Sequence, residues 1–294
     1  MNIVDRPSLS RRTTLGLGGS GLAELQIQGD RDWDEALRIV DREGGAPFVL
    51  GKGSNLLADD GQLPFILIRL VGDEPQVLSQ AGGRTSVRVG AGFSLPRLLG
   101  WLGRRGLSGL EPLTGIPGTV GGAVAMNAGS YGQTLGEIMQ RVQIMSPKQG
   151  AVWLDSEEVL LGYRHFDPGL EEDVWLVTRV DLELTAGPPE EIQSGMRRWY
   201  RTKKRTQPVT ARTCGCVFKN PGPELSAGAI LDQCGLRGCR AGQVGFSELH
   251  ANFLVNHGQG RSQDAFELLD MARDRARERF HVELELEVVL LRGS

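Results

Sequence analysis

The eighteen residues 115–132, which read GIPGTVGGAVAMNAGSYG, constrain the fold of this chain more than any other segment. Six of them are glycine, one is proline and none is charged. Glycine inside an ordered element costs about 1 kcal/mol relative to alanine. So dense a cluster indicates that a bound group approaches the backbone closely, and a phosphate-bearing cofactor held by main-chain N–H groups is the usual case. A glycine-rich connection between packed elements is the alternative.

Residues 49–57, which read VLGKGSNLL, form a second candidate phosphate-binding turn. Two glycines and the pair Ser54-Asn55 lie between apolar runs, so the segment predicts a tight turn with outward N–H groups. An ordinary turn is the alternative. It is not a Walker motif, since Ser or Thr must directly follow the lysine and Gly53 follows Lys52. Two such turns with no metal-binding acidic cluster between them favour a bulky dinucleotide.

The segment GLGGSG at residues 16–21 matches the fingerprint G-x-G-x-x-G in letters only. That fingerprint must follow a strand and begin a helix. Here the polar run SRRTT precedes it and the strand-like run LAELQIQ follows it. We therefore expect no Rossmann-type site at this position.

The composition is that of a soluble globular protein long enough for two domains: 294 residues, 40% hydrophobic and 23% charged. A net charge of −3 argues against a nucleic-acid partner. The N-terminal residues show no secretory signal and no apolar run approaches about 18 residues, which predicts a cytoplasmic protein. The four cysteines are expected to be free thiols, and their C-x-C and C-x₄-C spacings fit zinc poorly, so no metal is expected.

Hydrophobic periodicity predicts two α/β segments followed by a third region. The predicted strands lie at residues 22–27, 48–50, 65–70, 87–89, 142–145 and 174–184, and the predicted helices at 32–43, 94–105, 190–204, 226–234 and from 262 onward. Residues 71–84 read as a break, and Gly187-Pro188-Pro189 as a boundary. Ser226 is expected to cap its helix and Gly235 to stop it. Residues 281–291 alternate like a strand that returns to the first segment.

Residues 197–212 carry seven basic side chains and no acidic one. This segment is either a solvated helix end or a clamp for a diphosphate substrate, and the net negative charge of the chain slightly favours the clamp. Taken alone, Arg164 and Glu287 look like surface charges.

Six segments in order resemble one family, the UDP-N-acetylenolpyruvoylglucosamine reductases (MurB). They are GKGSN (51–55), EPLTGIPGTVGGAVAMNAGSYG (111–132), GYRHF (162–166), CGCVFKNP (214–221), HANFLVN (250–256) and LELEVVLLRG (284–293). The resemblance covers nearly the whole chain. It implies an α+β fold, with an FAD-binding fold of the vanillyl-alcohol-oxidase type made of two α/β subdomains. These would occupy residues 1–70, with 283–294 returning to them, and 71–187, and an α+β substrate-binding domain would occupy 188–282.

The activity that the resemblance implies is reduction of UDP-N-acetylglucosamine enolpyruvate to UDP-N-acetylmuramate, a cytoplasmic step toward peptidoglycan. NADPH would supply the hydride through non-covalent FAD, since no histidine lies in either glycine-rich segment. The substrate is a small molecule, and no nucleic-acid, membrane or protein partner is expected. The chain resembles the shorter subtype, which lacks a tyrosine-bearing loop. The alternatives are another flavin-dependent oxidase or dehydrogenase, and a non-catalytic nucleotide-sugar binder.

The resemblance also assigns roles to individual residues. Arg164 would polarise the substrate carboxylate, Glu287 would stabilise the enol form or share its proton, and Cys216, at a position where serine is common, would donate the proton. Lys204, Lys219 and Asn220 would bind the substrate. The FAD-binding residues would be Gly51, Lys52, Gly53, Ser54, Asn55, Leu56, Gly115, Pro117, Gly118, Gly121, Gly122, Ala125, Asn127 and Gly129.

Overall fold

A computed structural model of the chain describes residues 1–28, 30–172 and 174–293. Its helices are α1 (Asp30–Glu43), α2 (Leu95–Arg105), α3 (Val120–Ala125), α4 (Pro189–Thr206), α5 (Ala227–Gln233) and α6 (Ser262–Phe280). Its strands are β1 (Asn2–Asp5), β2 (Ala23–Ile27), β3 (Ala46–Val49), β4 (Leu56–Ala58), β5 (Phe65–Leu70), β6 (Gln76–Ala81), β7 (Arg84–Gly90), β8 (Leu107–Ser108), β9 (Gly129–Ser130), β10 (Gln133–Thr134), β11 (Met139–Ser146), β12 (Gly150–Asp155), β13 (Leu160–Gly162), β14 (His165–Asp167), β15 (Leu176–Ala186), β16 (Thr213–Cys216), β17 (Arg240–Ala241), β18 (Val244–Phe246), β19 (Phe253–Asn256) and β20 (Val289–Leu291). None of the helices in these ranges is long and apolar enough to cross a membrane.

The contacts divide the chain into two compact units. Unit 1 is Met1–Val4, Ala23–Gly51 and Phe65–Arg201, and unit 2 is Asp5–Leu22, Lys52–Pro64 and Thr202–Ser294. Each unit draws on segments that are distant in the sequence. The division into FAD-binding and substrate-binding domains stays a prediction.

Unit 1 contains a four-stranded sheet with the strand order β1-β2-β5-β3. Strand β5 runs parallel to both of its neighbours. Strands that run in the same direction require a crossover connection. Helix α1 forms the crossover from β2 to β3, which lie on either side of β5. The helix buries Trp33 and Ala36, three positions apart on one face. Ile66, Leu67 and Ile68 are fully buried, as expected for a strand that is covered on both faces.

The second sheet of unit 1 is antiparallel, in the order β12-β11-β15-β7-β6, with β8 also paired to β15. Its apolar core lies under α2 and α3 and includes Val87, Leu98 and Val180. Asp181, 2% exposed, accepts hydrogen bonds from Arg88 at 2.7 and 2.8 Å and from Arg141 at 2.7 Å. Burial raises the pKa of Asp181, but these hydrogen bonds outweigh it, so the pKa is lowered.

Unit 2 is built on the antiparallel sheet β16-β19-β18-β17 and the parallel pair β4–β20. Its core includes Leu57, Phe218, Leu231 and Ala272, so one side of α5 and of α6 packs inward. The hydroxyl oxygen of Ser226 accepts a hydrogen bond from the N–H of Ala229.

Most predicted elements appear within three residues of their predicted bounds, and the predicted cap at Ser226 is confirmed. Two predictions were wrong. The break at 71–84 contains β6, whose residues are all exposed and therefore show no apolar alternation. The strand predicted over 281–291 is limited to β20, which returns to pair with β4 of the first segment as predicted, because residues 285–287 bond instead to residues 217–219.

Candidate functional site: a glycine-lined cradle and a clamped cysteine strand

The glycine-rich segment 115–132 contains the short helix α3 and lies in unit 1. Thr119 caps the helix, since its side-chain oxygen accepts a hydrogen bond from the N–H of Gly122 at 3.2 Å. Gly115 and Gly118 have φ values of +92° and +152°, which side-chain-bearing residues rarely adopt. A methyl group at Gly121 would lie 2.8 Å from Cβ of Ala91. The glycines are therefore required by backbone conformation and by close packing.

Gly51, in the glycine-containing turn at residues 49–57, lies directly against the Thr119 cap. A methyl group at Gly51 would lie 2.6 Å from Oγ1 of Thr119, closer than real Cβ atoms come to such neighbours. Gly51 and Thr119 both belong to unit 1. The two glycine-rich segments, which are more than sixty residues apart in the sequence, thus touch at one point in the fold.

Asn127 lies within the segment 115–132, and Arg164 bonds to that segment. The amide of Asn127, which is 7% exposed, donates to the carbonyl of Gly162 at 3.0 Å and accepts from the N–H of Gly136 at 3.0 Å. Arg164 donates from Nη2 to the carbonyl of Gly129 at 3.2 Å. Asn127 and Arg164 have φ values of +37° and +54°, and such strained backbone tends to occur at functional sites.

Thr114, immediately before the glycine-rich segment, carries a buried polar atom without a hydrogen-bond partner in the described part of the chain. Its Oγ1 is buried and has no hydrogen-bond partner among the described residues. An unsatisfied buried group costs about 1–3 kcal/mol, so such groups are rare without a functional reason. We call Gly51, Gly115, Gly118 and Gly121 the glycine cradle. The unsatisfied hydroxyl of Thr114 and this cradle together fit a bound cofactor at this segment.

Residues 52–57 of the turn at 49–57 lie in unit 2, where they contact the N-terminal loop at Arg12 and Thr14. A methyl group at Gly53 would lie 2.3 Å from the carbonyl oxygen of Arg12, and the carbonyl of Gly53 accepts from the N–H of Thr14 at 3.1 Å. Lys52 is exposed, Ser54 is half-buried, and Leu56 begins β4.

Asn55 connects this turn to the predicted catalytic Glu287. Its side-chain amide donates to the carbonyl oxygen of Glu287 at 2.9 Å, and its own carbonyl accepts from the N–H of Val289 at 3.1 Å. Both bonds lie within unit 2. Asn55 therefore holds the backbone on which Glu287 lies.

Cys216 ends β16, after a bulge in the pairing of β16 with β19. Gly215 forms the bulge with a φ of +81°, where a side chain would be strained. The next residue, Val217, accepts a hydrogen bond at its carbonyl from the N–H of Glu287 at 2.9 Å. The structure thus places the backbones of two predicted catalytic residues, Cys216 and Glu287, side by side; both side chains are half-buried.

The three predicted substrate residues differ in their surroundings. Lys204, in the last turn of α4, is exposed, whereas its neighbour Lys203 is 2% exposed. Lys219 forms an ion pair with Glu285. The side-chain oxygen of Asn220 accepts from the N–H of Ala227 at 3.1 Å, at the start of α5. Lys204 and Asn220 are exposed, whereas Lys219 is half-buried.

All four cysteines are free thiols, which confirms the prediction. Burial raises the pKa of the Cys214 thiol to about 12 and also raises that of Cys234. Within the described ranges, no group of three or more His, Cys, Asp or Glu side chains is arranged to hold a metal ion.

Sequence reasoning did not single out Thr114, Thr119 or Asn252, although all three lie in quoted motifs. Thr119 and Asn252 act through contacts with residues far away in the sequence, and Thr114 is distinguished only by its missing partner. One local signal could have identified Thr119: threonine is a favoured N-cap residue, and Thr119 immediately precedes α3.

The sequence matches two family profiles. Residues 25–154 match the FAD-binding domain family, and residues 207–291 match the C-terminal domain of UDP-N-acetylenolpyruvoylglucosamine reductase. With the glycine cradle, the first match defines the chain as a flavoprotein with an α+β FAD-binding fold, as predicted.

Full-length relatives agree with these matches. A UDP-N-acetylenolpyruvoylglucosamine reductase from Nitratidesulfovibrio vulgaris is 47% identical, with 99% of each chain covered. One from Thermus thermophilus is 42% identical, covering 97% of this chain and 98% of its own. The crystal structure of the Thermus caldophilus enzyme superimposes with a TM-score of 0.82, at 37% identity and 99% coverage of each chain. The chain belongs to the UDP-N-acetylenolpyruvoylglucosamine reductase family, whose members are oxidoreductases.

Proposed function

We propose that this protein reduces the enolpyruvyl ether of UDP-N-acetylglucosamine enolpyruvate to the lactyl ether of UDP-N-acetylmuramate. Bound FAD would supply the redox chemistry that passes a hydride from NADPH to the substrate double bond, and the two glycine-rich segments would hold it. A proton must then reach the carbon next to the carboxylate. The observation that carries the proposal is the hydrogen bond from Glu287 to the carbonyl of Val217, which holds the backbone of Glu287 beside that of Cys216.

The cofactor-binding residues we propose are those of the two glycine-rich segments. Close approach at Gly51 and Gly121 and the left-handed backbone at Gly115 and Gly118 support their assignment. The N–H groups of Gly121 and Gly122 already donate to the carbonyl of Ala91 and to Oγ1 of Thr119, so other main-chain N–H groups of these segments would hold the pyrophosphate. The unsatisfied hydroxyl of Thr114 would gain a partner in the same place.

We propose that Arg164 binds the substrate carboxylate. Its guanidinium is steadied by the carbonyl of Gly129 and lies 5.1 Å from the ring centre of Tyr163. A fixed positive charge stabilises the negative charge that develops as the double bond is reduced, which is usually the largest single catalytic contribution. Glu287 would stabilise the enol form or share its proton.

We propose that Cys216 gives its Sγ proton to the carbon next to the carboxylate and regains one from solvent. A thiol with a reference pKa of about 8.5 is mostly protonated at neutral pH. It is also a much stronger acid than the hydroxyl of the serine that is common at this position. Lys204, Lys219 and Asn220 are the proposed diphosphate- and sugar-binding residues; Lys219 would have to exchange its ion pair with Glu285 for the substrate.

The functional division we propose assigns residues 1–70 and 71–187 to flavin binding and residues 188–282 to the substrate. Only Gly187 and Pro188 separate β15 from α4, which supports the shorter subtype without a tyrosine-bearing loop. We also propose a cytoplasmic location, where UDP-sugars and NADPH are available.

A visible spectrum of the purified protein tests the proposal. We expect a yellow protein that NADPH bleaches under anaerobic conditions and that the enolpyruvyl substrate reoxidises with stoichiometric UDP-N-acetylmuramate. Bleaching without reoxidation by this substrate would favour another flavin-dependent oxidoreductase. A colourless protein that releases no flavin on denaturation would contradict the proposal altogether.

A further inference from the structure

Asn252 is a buried amide that grips the strand carrying Cys216. It is 2% exposed and lies in the turn before β19. Its Oδ1 accepts from the N–H of Phe218 at 3.0 Å, and its Nδ2 donates to the carbonyl of Phe218 at 2.8 Å. Its backbone carbonyl accepts from the N–H of Val217 at 2.9 Å. Three hydrogen bonds thus fix the two residues that follow Cys216.

The same strand is held from its other side by the segment that carries Glu287. The carbonyl of Val217 accepts from the N–H of Glu287, and the N–H of Lys219 donates to the carbonyl of Glu285 at 2.8 Å. Phe218 pairs with Leu286 as an isolated bridge. Because Asn252 bonds to Val217 and Phe218, any shift of these residues also moves the carbonyl to which Glu287 bonds.

The chemistry at position 252 requires an amide. The N–H and the carbonyl of Phe218 offer one donor and one acceptor, and the asparagine side chain offers the complementary pair. An aspartate has the same shape but cannot donate when ionised, so it would face the carbonyl of Phe218 with a buried negative charge.

His250 holds the turn in which Asn252 lies. Its Nδ1 accepts from the N–H of Asn252 at 3.2 Å, and its ring packs edge-on against Phe253 with centroids 4.9 Å apart. A methyl group at Gly228 would lie 2.7 Å from Cε1 of His250, so the ring is also confined by the first turn of α5. Asn252 is therefore presented from a rigid turn.

We propose that Asn252 is a positioning residue that sets the placement of Cys216 relative to Glu287 for proton delivery. The inference rests on the proposed function of Cys216 and extends it to a residue that immediately precedes the neighbouring strand β19. Misplacement of a reacting group by about 1 Å can cost on the order of 100-fold in rate. Loss of the three hydrogen bonds made by Asn252 should therefore slow proton delivery to the substrate much more than it slows flavin reduction by NADPH.

The test compares Asn252→Asp with Asn256→Asp. Asn256 is a matched control, since it is 4% exposed and its side chain bonds to the backbone of Leu15, Gly258 and Gly260 but not to the Cys216 strand. In anaerobic single-turnover experiments, flavin reduction by NADPH and subsequent reoxidation by the enolpyruvyl substrate are timed separately. We expect reoxidation to slow 10- to 100-fold in Asn252→Asp, with flavin reduction within about twofold of wild type. In Asn256→Asp both steps should stay within about threefold.

A second measurement does not depend on the loaded enzyme. Amide hydrogen exchange of the flavin-free protein should show faster exchange at Val217 and Phe218 in Asn252→Asp, with the protection of both retained in Asn256→Asp. If Asn252→Asp does not fold, Asn252→Ser, which keeps one hydroxyl for bonding, should show the same pattern with a smaller slowing.

Three results would overturn the inference. They are an unchanged reoxidation rate in a variant whose exchange at Val217 and Phe218 has risen, equal slowing of both steps, and unchanged exchange at these amides. Failure of the wild-type protein to reoxidise with substrate would instead contradict the proposed function, and hydrogen exchange would then still decide whether Asn252 positions the strand.

Discussion

Replacement of Gly51 by alanine tests whether the two glycine-rich segments are held together as the structure shows. Gly51 does not have a positive φ, so alanine fits its backbone and only the neighbour matters. The new methyl group would lie 2.6 Å from Oγ1 of Thr119, and an ordinary contact would require a shift of about 0.8 Å. Thr119 would have to leave its cap position, where it accepts from Gly122 at 3.2 Å.

The expected loss combines the two effects. Losing the cap costs about 1 kcal/mol, and overpacking a close contact costs about 1–3 kcal/mol. At about 2–4 °C per kcal/mol for a protein of this size class, a loss of about 2–4 kcal/mol should lower the melting temperature of flavin-free Gly51→Ala by about 4–16 °C. Affinity for FAD, measured by recovery of flavin fluorescence on release, should fall as well.

The double variant decides whether the contact with Thr119 is the cause. Thr119→Ala should cost about 1 kcal/mol, and Gly51→Ala added to it should cost little more, because the nearest remaining atom of position 119 is 3.7 Å away. Gly195→Ala, in α4 with its nearest neighbour at 3.9 Å, is the matched control and should stabilise by up to about 1 kcal/mol. Additive losses from the two single changes would refute the reasoning.

Four further outcomes are expected. Cys216→Ala should abolish most single-turnover substrate reduction, whereas Cys216→Ser should keep a substantial part of it; an alanine variant with the wild-type rate would exclude Cys216 as proton donor. Thr114→Val should stabilise the flavin-free protein by about 1 kcal/mol in urea titrations yet weaken FAD binding, with Thr114→Ser as control; equal FAD affinity would remove its cofactor role. Burial, and to a smaller extent the charge of Arg237, lowers the pKa of His250. The contribution of neutral His250 to stability should therefore be present above about pH 6.5 and be lost as the pH falls through the folded-state pKa. Over this pH range the melting temperature of the wild-type protein should fall more than that of His250→Gln. In the native protein iodoacetamide should label Cys216 and leave Cys214 unlabelled, because burial keeps the Cys214 thiol protonated; labelling of Cys214 at a similar rate, seen by peptide mass spectrometry, would contradict its burial.

Prediction from the sequence succeeded where the signal is local. The strand at 65–70 agrees with β5, and α5 begins after the Ser226 cap, because apolar runs and capping residues act over a few positions. It failed at β6, since an exposed edge strand has no buried face and therefore no alternation to detect. It also overextended the terminal strand, where Glu285 and Glu287 bond to residues 217–219 and only from Val289 onward does the backbone pair with β4.

The sequence by itself supplied the candidate residues for the chemistry: glycines that could hold a pyrophosphate, basic side chains, and a thiol proposed as proton donor. Those properties belong to residue types and to short spacings. The tertiary structure alone decided how they are held. Asn55 reaches Glu287 across 232 positions, and Asn252 reaches Phe218 across 34. Such contacts depend on how the chain packs, which no local pattern encodes, and they are what turn Cys216 and Glu287 from separate motifs into neighbours.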